Sequence, residues 1–233
     1  DLRQDEWDSP LAHYKSLADR ARTPVVLEII LAGDRPPSEE FGPVAAAVNK
    51  AGLRPEAVVV TPAQDLKSYP PGIPFPEGVP SYEALAKAAR DAFPNARIGG
   101  GMLSNFTELN RKRPLSGVFD FIVHATSGLV HAADDRSVIE TLESIGHIIR
   151  STKAMAGKTP YRIGPSHIGN SFNPYGSAVT PNPENGRVTM ARVEPRHRGL
   201  FGAAWHLGFL SQVADGGIEA ATMASPVGEF GIA

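Results

Sequence analysis

The segment "HATSGLVHAADD" sets two imidazoles and two carboxylates, His124, His131, Asp134 and Asp135, at the end of a short apolar run. Imidazole beside carboxylate is the material of a general base with an orienting partner, or of a metal site. An aspartate ahead of a helical stretch also has a plain structural use, as the cap of free helix N–H groups. The His-x-His pair of many metal-dependent barrel hydrolases is absent, so neither a metal nor another cofactor is expected.

Other groups could join such a site. Glu28 interrupts "PVVLEIIL" and shares a strand face with Val26 and Ile30. A buried carboxylate needs partners, which the inside of a barrel supplies more readily than a face packed by helices. "GPSHIG" (164–169) looks like a nucleophile elbow, but its last glycine falls one residue late, and spacing is the content of that motif. Ser166 is therefore set aside as a nucleophile, while His167, just past a strand end, stays a site residue. The loop that follows carries Asn170, Asn173, Tyr175, Arg187, Arg192, Arg196 and Arg198, groups suited to a polyol or a carboxylate. A solvated loop is the plain alternative. In "GGGMLSNFTELNR" (99–111) no phosphate-binding glycine spacing follows the glycines, and Ser104 or Asn105 either faces a pocket or caps a helix.

The elements that must position these groups alternate. Strands are predicted at 24–31, 57–62, 96–101, 119–125, 161–166 and 218–224. Helices are predicted at about 9–22, 38–51, 81–93, 104–113, 136–156 and 197–215. Ser9, Ser38, Ser81 and Ser137 serve as start signals, Ser137 with Glu140 at capping-box spacing. Parallel strands with crossover helices follow. Asp1-Leu2 reads as the stub of a further strand, so the chain is expected to be a (β/α)8 TIM-type barrel lacking its first βα unit. A doubly wound open sheet is the alternative. The whole span 1–233 reads as one barrel domain cut from a longer multidomain protein. In a barrel the chemistry sits where strands end.

The 233 residues carry a net charge of -2 and no cysteine, which excludes disulfides and thiolate metal sites. The longest basic run is "RKR" at 111–113, which argues against nucleic acid. Nothing approaches a membrane span, and a cytoplasmic protein is expected. Oligomerisation is left open.

Five segments in order, "GGGMLSNFTELNR", "VHAADDRSVIETLES", "GPSHIG" with "NPYG", "PRHRGLFGAAWHLG" and "SPVGEFG", resemble the central barrel of D-apionate lactonase-like proteins over roughly residues 96–230. Residues 1–95 resemble it only in pattern. The resemblance implies a barrel beside further β domains and hydrolysis of D-apionolactone in bacterial catabolism of apiose. Some members carry Glu-Thr-Thr-Gly at the end of strand 8, where this chain has Ser225, Pro226, Val227 and Gly228; Glu219 and Glu229 lie off that position. The departure puts another lactone or sugar acid within reach.

The resulting expectation is a sugar-acid lactonase with His131 as base or substrate ligand, oriented by Asp134 or Asp135. His124, His167 and Asn105 surround the substrate, Glu28 lies beneath it, and Asn173 and Arg196 bind it. Two alternatives are a glycosidase-like hydrolase using Asp65, Glu108 or Glu229, although the paired carboxylates at strand ends are missing, and a barrel that binds sugars without turnover.

Overall fold

A computed structural model describes residues 1–4, 6–225 and 228–231. Its strands are β1 (Val26–Leu31), β2 (Ala57–Pro62), β3 (Arg97–Met102), β4 (Phe121–Ser127), β5 (Tyr161–His167) and β6 (Ala220–Met223). Its helices are α1 (Asp8–Ala21), α2 (Pro37–Lys50), α3 (Tyr82–Ala92), α4 (Phe106–Arg111), α5 (Asp135–Ala156) and α6 (Leu200–Ala214). The strands pair in chain order, each parallel to the next, with no reversal. A doubly wound sheet reverses its order at a switch point, so that alternative is not what forms. The described residues make a half-barrel. On the free edge of β1, Leu2 N donates to Ile30 O at 2.8 Å and so joins the Asp1-Leu2 stub to the sheet.

Strand parity divides the core into two faces. Leu27, Ile29, Leu31, Val58, Val60 and Ile98 pack outward against α2 and α3, and Tyr161 and Ile163 pack against α5 and α6 around Trp205 and Phe209. On the concave face, Ile30, Val59, Phe121 and Val123 meet Leu66, Leu103 and Phe172. At the N-terminal ends of the strands Arg97 and Arg162 both pair with Glu219, at 2.8 and 2.6 Å, and lie over the Phe121 ring. An ionic floor therefore closes the end opposite the mouth.

The glycines of β3 make room for this packing. A Cβ at Gly99 would stand 2.2 Å from the Phe121 ring, and one at Gly100 would stand 2.3 Å from Phe119. Gly101 is held more rigidly, with φ at +142° and the carbonyl oxygen of Val123 only 2.0 Å from a would-be Cβ. Gly101→Ala should therefore cost about 1–3 kcal/mol in backbone strain, with a further loss from displacing β4. Chemical denaturation of the variant measures the sum, and wild-type stability would contradict the close approach.

The loop from β5 to α6 straps the strand ends together. Ser68 N donates to Pro174 O at 2.9 Å, and Lys67 Nζ donates to the carbonyls of Asn173 and Gly176. Phe172, in the same loop, caps the apolar interior from above. Three helix starts differ from the serine signals, the first being Ser9, which lies within α1, whose N-cap position is Trp7. Asp134, not Ser137, caps α5, accepting from Ser137 N at 2.9 Å, because a carboxylate three residues ahead reaches that N–H directly. Ser38 lies within α2, whose N-cap position is Pro36.

Candidate active site

Parallel pairing lines up the polar ends of β3, β4 and β5. Thr126 stands beside Ser166 and Ser127 beside His167, while Ser104 and Asn105 follow β3. With Leu103, Asn170, Ser171 and Phe172, residues of these ends enclose a cavity of ≈ 10 Å3, near the room needed by one water molecule. Its wall of Asn105, Ala125, Thr126 and Ser127 also borders a wider cleft of ≈ 450 Å3, lined further by Thr107, His131 and Tyr175. Inside the narrow cavity's wall, Ser104 Oγ, Thr126 Oγ1 and Asn170 Nδ2 are buried without a hydrogen-bond partner among the described residues. Such orphans are uncommon in native interiors and point to a ligand, a water or a reacting group.

His167 closes this wall. Its Nδ1–H donates to Gly169 O at 2.6 Å, and its Nε2 accepts from Ser171 Oγ at 2.9 Å. A carbonyl can only accept, so the proton sits on Nδ1 and the Nε2 lone pair faces Ser171. Phe230 stacks on the ring with centroids 3.9 Å apart. Burial, the largest influence, holds the His167 pKa down at about 4, so the imidazole is neutral at ordinary pH.

The other predicted residues do not converge. His124 faces outward, fully buried, with Nδ1–H donating to Ala125 O at 2.8 Å and Nε2 accepting from Tyr161 OH at 2.7 Å. Burial lowers its pKa to about 4. With both nitrogens engaged inside the wall, its ring does not reach the mouth. Glu28 points into the concave interior on the parity of Ile30. Its side chain is exposed to solvent, yet the protein crowding around it pushes its carboxyl up to about 7. His131, Glu28 and His124 thus occupy three separate environments.

His131 is exposed at the wide cleft, 6.3 Å from the Tyr175 ring, with no hydrogen bond to its ring among the described residues. Neither aspartate orients it. Asp134 is committed to the α5 cap, and Asp135 pairs with Arg196 at 2.7 Å and Arg187 at 3.1 Å. Arg196, in turn, grips the buried carboxylate of Glu194 through two nitrogens, so its guanidinium is spent on structure. Asn173 is used likewise: its Oδ1 accepts from the N–H groups of Tyr175 and Gly176, and its Nδ2 donates to Ala178 O. Asn105 stands at the N-cap position of α4 without making a capping bond and borders both cavities, which leaves its amide for a ligand.

The glycosidase candidates are also accounted for. Both oxygens of Asp65 bind Lys112 Nζ, at 2.6 and 2.7 Å. Glu108 accepts from Ser68 Oγ at 2.8 Å beside Arg111, and Glu229 pairs with Arg192. Of the strand 8 segment, Pro226 and Val227 lie outside the described residues; Ser225 N donates to Phe230 O at 3.0 Å. Ser171 was not singled out by sequence reasoning. The only signal for it is a serine four residues after a histidine at a strand end, which becomes a contact through the turn at Gly169. Among the described residues no three His, Cys, Asp or Glu side chains are grouped to hold a metal ion, and no helix is long and apolar enough to cross a membrane.

The chain matches the family model for the TIM barrel domain of D-apionate lactonase over residues 1–233. It is 45% identical over 224 residues to the D-apionate lactonase of Brucella anthropi, a match that covers 96% of this chain and 37% of that protein. Among solved structures it is similar to a β-glucuronidase from Ruminococcus gnavus in complex with D-glucaro 1,5-lactone, with a TM-score of 0.46 and 10% identity over 91% of this chain and 35% of that one.

Proposed function

The chain belongs to the D-apionate lactonase family, as its TIM barrel domain, and from that premise we propose that it hydrolyses a sugar-acid lactone of the D-apionate type, with water activated by a neutral histidine at the barrel mouth. The observation that carries this reading is the arrangement of His167, whose Nδ1–H is held by Gly169 O and whose Nε2 lone pair is turned to Ser171 Oγ on the wall of the cavity shared with the polar ends of β3 and β4. A neutral imidazole is the form that can accept a proton. Asn105, Thr107, Ser127 and His131 around the adjoining cleft suit the hydroxyls of a small polyol ring. His131 serves there as the substrate's ligand, since among the described residues its ring has no hydrogen-bond partner to orient it as a base. The rest of the chain supplies the first βα unit and the flanking domains, and the setting is bacterial sugar-acid catabolism in the cytoplasm.

The test is hydrolysis of D-apionate lactone by the full-length protein. His131→Ala should lower kcat/KM by about tenfold, near 1.4 kcal/mol of lost binding, chiefly through KM. Unchanged kinetics would remove His131 from the site. Turnover of an aryl glycoside with none of the lactone would overturn the reading as a whole.

A further inference from the structure

We propose that Ser171 is a covalent nucleophile: its Oγ attacks the lactone carbonyl with His167 Nε2 as base, so that water hydrolyses an acyl-enzyme rather than the lactone itself. The inference rests on the lactone-hydrolase reading above. Its first support is stoichiometric. Nε2 has one lone pair, and Ser171 Oγ holds it at 2.9 Å, so the group nearest to being deprotonated is the serine and not a water.

The second support is orientation. A nucleophile–base pair works when a third group fixes the base. Here the carbonyl of Gly169 does so at 2.6 Å, in the position a carboxylate takes in the Ser-His-Asp arrangement, and Phe230 stacked on the ring face prevents it from tilting. The third is what surrounds the pair. Ser104 Oγ, Thr126 Oγ1 and Asn170 Nδ2 are buried, without a hydrogen-bond partner among the described residues, and on the wall of the cavity that Ser171 and His167 also line. A serine that only stapled its loop to the strand would need no such donors nearby. Donors facing a developing oxyanion are what acyl transfer requires.

The chemistry balances without any co-reactant but water. Oγ forms a bond to the carbonyl carbon while its proton passes to Nε2, and the carbonyl oxygen takes up the negative charge. Collapse breaks the ring C–O bond, and the departing oxygen takes the proton from the imidazolium as a hydroxyl. Because the leaving group stays tethered, the acyl-enzyme weighs the protein plus one whole lactone. Water then adds to the ester, gives its proton to Nε2, and Oγ departs with that proton, releasing the open-chain acid.

Rapid-quench intact-mass spectrometry of the full-length protein with D-apionate lactone should find an adduct of one lactone mass on the peptide holding Ser171. Ser171→Ala should lack the adduct and lose about 1,000-fold in turnover, with circular dichroism and melting temperature unchanged. Ser171→Cys should carry the adduct as a thioester released by neutral hydroxylamine. A fluorophosphonate probe tests the pair independently of the lactone, since it should label Ser171 in the wild type and nothing in Ser171→Ala. Turnover by Ser171→Ala within tenfold of wild type, an adduct at another residue, or no fluorophosphonate labelling of Ser171 would each overturn the proposal. A labelled Ser171 in a protein inert toward the lactone would leave the pair standing and refute the substrate instead.

Discussion

Lys112→Met should cost the fold about 3–5 kcal/mol at pH 7, the loss expected when one partner of a buried ion pair is removed and the other charge is left stranded. Lys112 Nζ lies 2.6 and 2.7 Å from the two oxygens of Asp65, whose side chain is 1% exposed. The ammonium also sits over the rings of Tyr82 and Phe75, at 4.8 and 5.4 Å. Burial raises the Asp65 pKa, and Lys112 pulls it only part of the way back. Without Lys112 the carboxyl rises further and takes up a proton on folding. The folded state then binds more protons than the unfolded one, so the variant's stability falls as pH rises from the ordinary carboxylate range toward neutrality. Urea denaturation at pH 7 and at pH 4.5 should show the deficit larger at pH 7. Equal deficits would mean that Asp65 stays ionised without its partner. Wild-type stability at pH 7 would mean that the pair contributes nothing. An Asp65 held this way is also a poor candidate for glycosidase chemistry, since neither oxygen is free to meet a glycosidic bond.

The order and type of the elements were legible in the sequence because short runs rich in Val, Ile, Ala or Gly alternate with stretches of helical period. β2 falls on the predicted 57–62, and the remaining strands and helices fall within a few residues of expectation. Glu28 was placed on the face of Ile30 correctly, since period two is unambiguous along a single strand. The facing of His124 was not legible. β4 is buried on both sides, with Ile122 outward and Val123 inward, so apolar residues surround the histidine in either direction and alternation carries no sign. The aspartates after His131 illustrate a different limit. Their types and spacing suit both a base-orienting pair and a helix cap with an ion pair, and only the paths of α5 and of the 169–195 loop decide for the latter. Ser171 was hidden because its contact with His167 is made by a turn rather than by a period.

Acidification from pH 6.5 to pH 4 should destabilise the protein through two buried histidines. His124 and His167 have an ordinary value of 6.5 and are held at about 4 in the fold, in both cases mainly by burial. Between these values the unfolded chain binds a proton that the folded state refuses. Stability is therefore full above pH 6.5, declines as pH falls through the window, and levels off below pH 4 as far as these groups are concerned. Each contributes at most roughly 3 kcal/mol, at about 1.4 kcal/mol per pH unit of displacement. Glu28 acts in the opposite sense: its carboxyl is raised to about 7 in the fold, so it favours the folded state as pH falls from 7 toward 4.5. Solvent at its side chain screens that contribution, and the histidines dominate. Guanidinium denaturation at pH 7, 5.5 and 4 measures the decline, and His124→Gln, which removes one titrating ring and can still bond to Tyr161, should flatten it, while His197 and His206, also lowered by burial, keep part of the slope. A stability that stays level from pH 7 to pH 4.5 would refute the burial of both rings. The same depression keeps His167 unprotonated through the mildly acidic range, so lactone turnover should hold as pH falls through 6.5 and drop only as pH nears 4. A turnover limb at 6.5 would take the proton transfer away from His167.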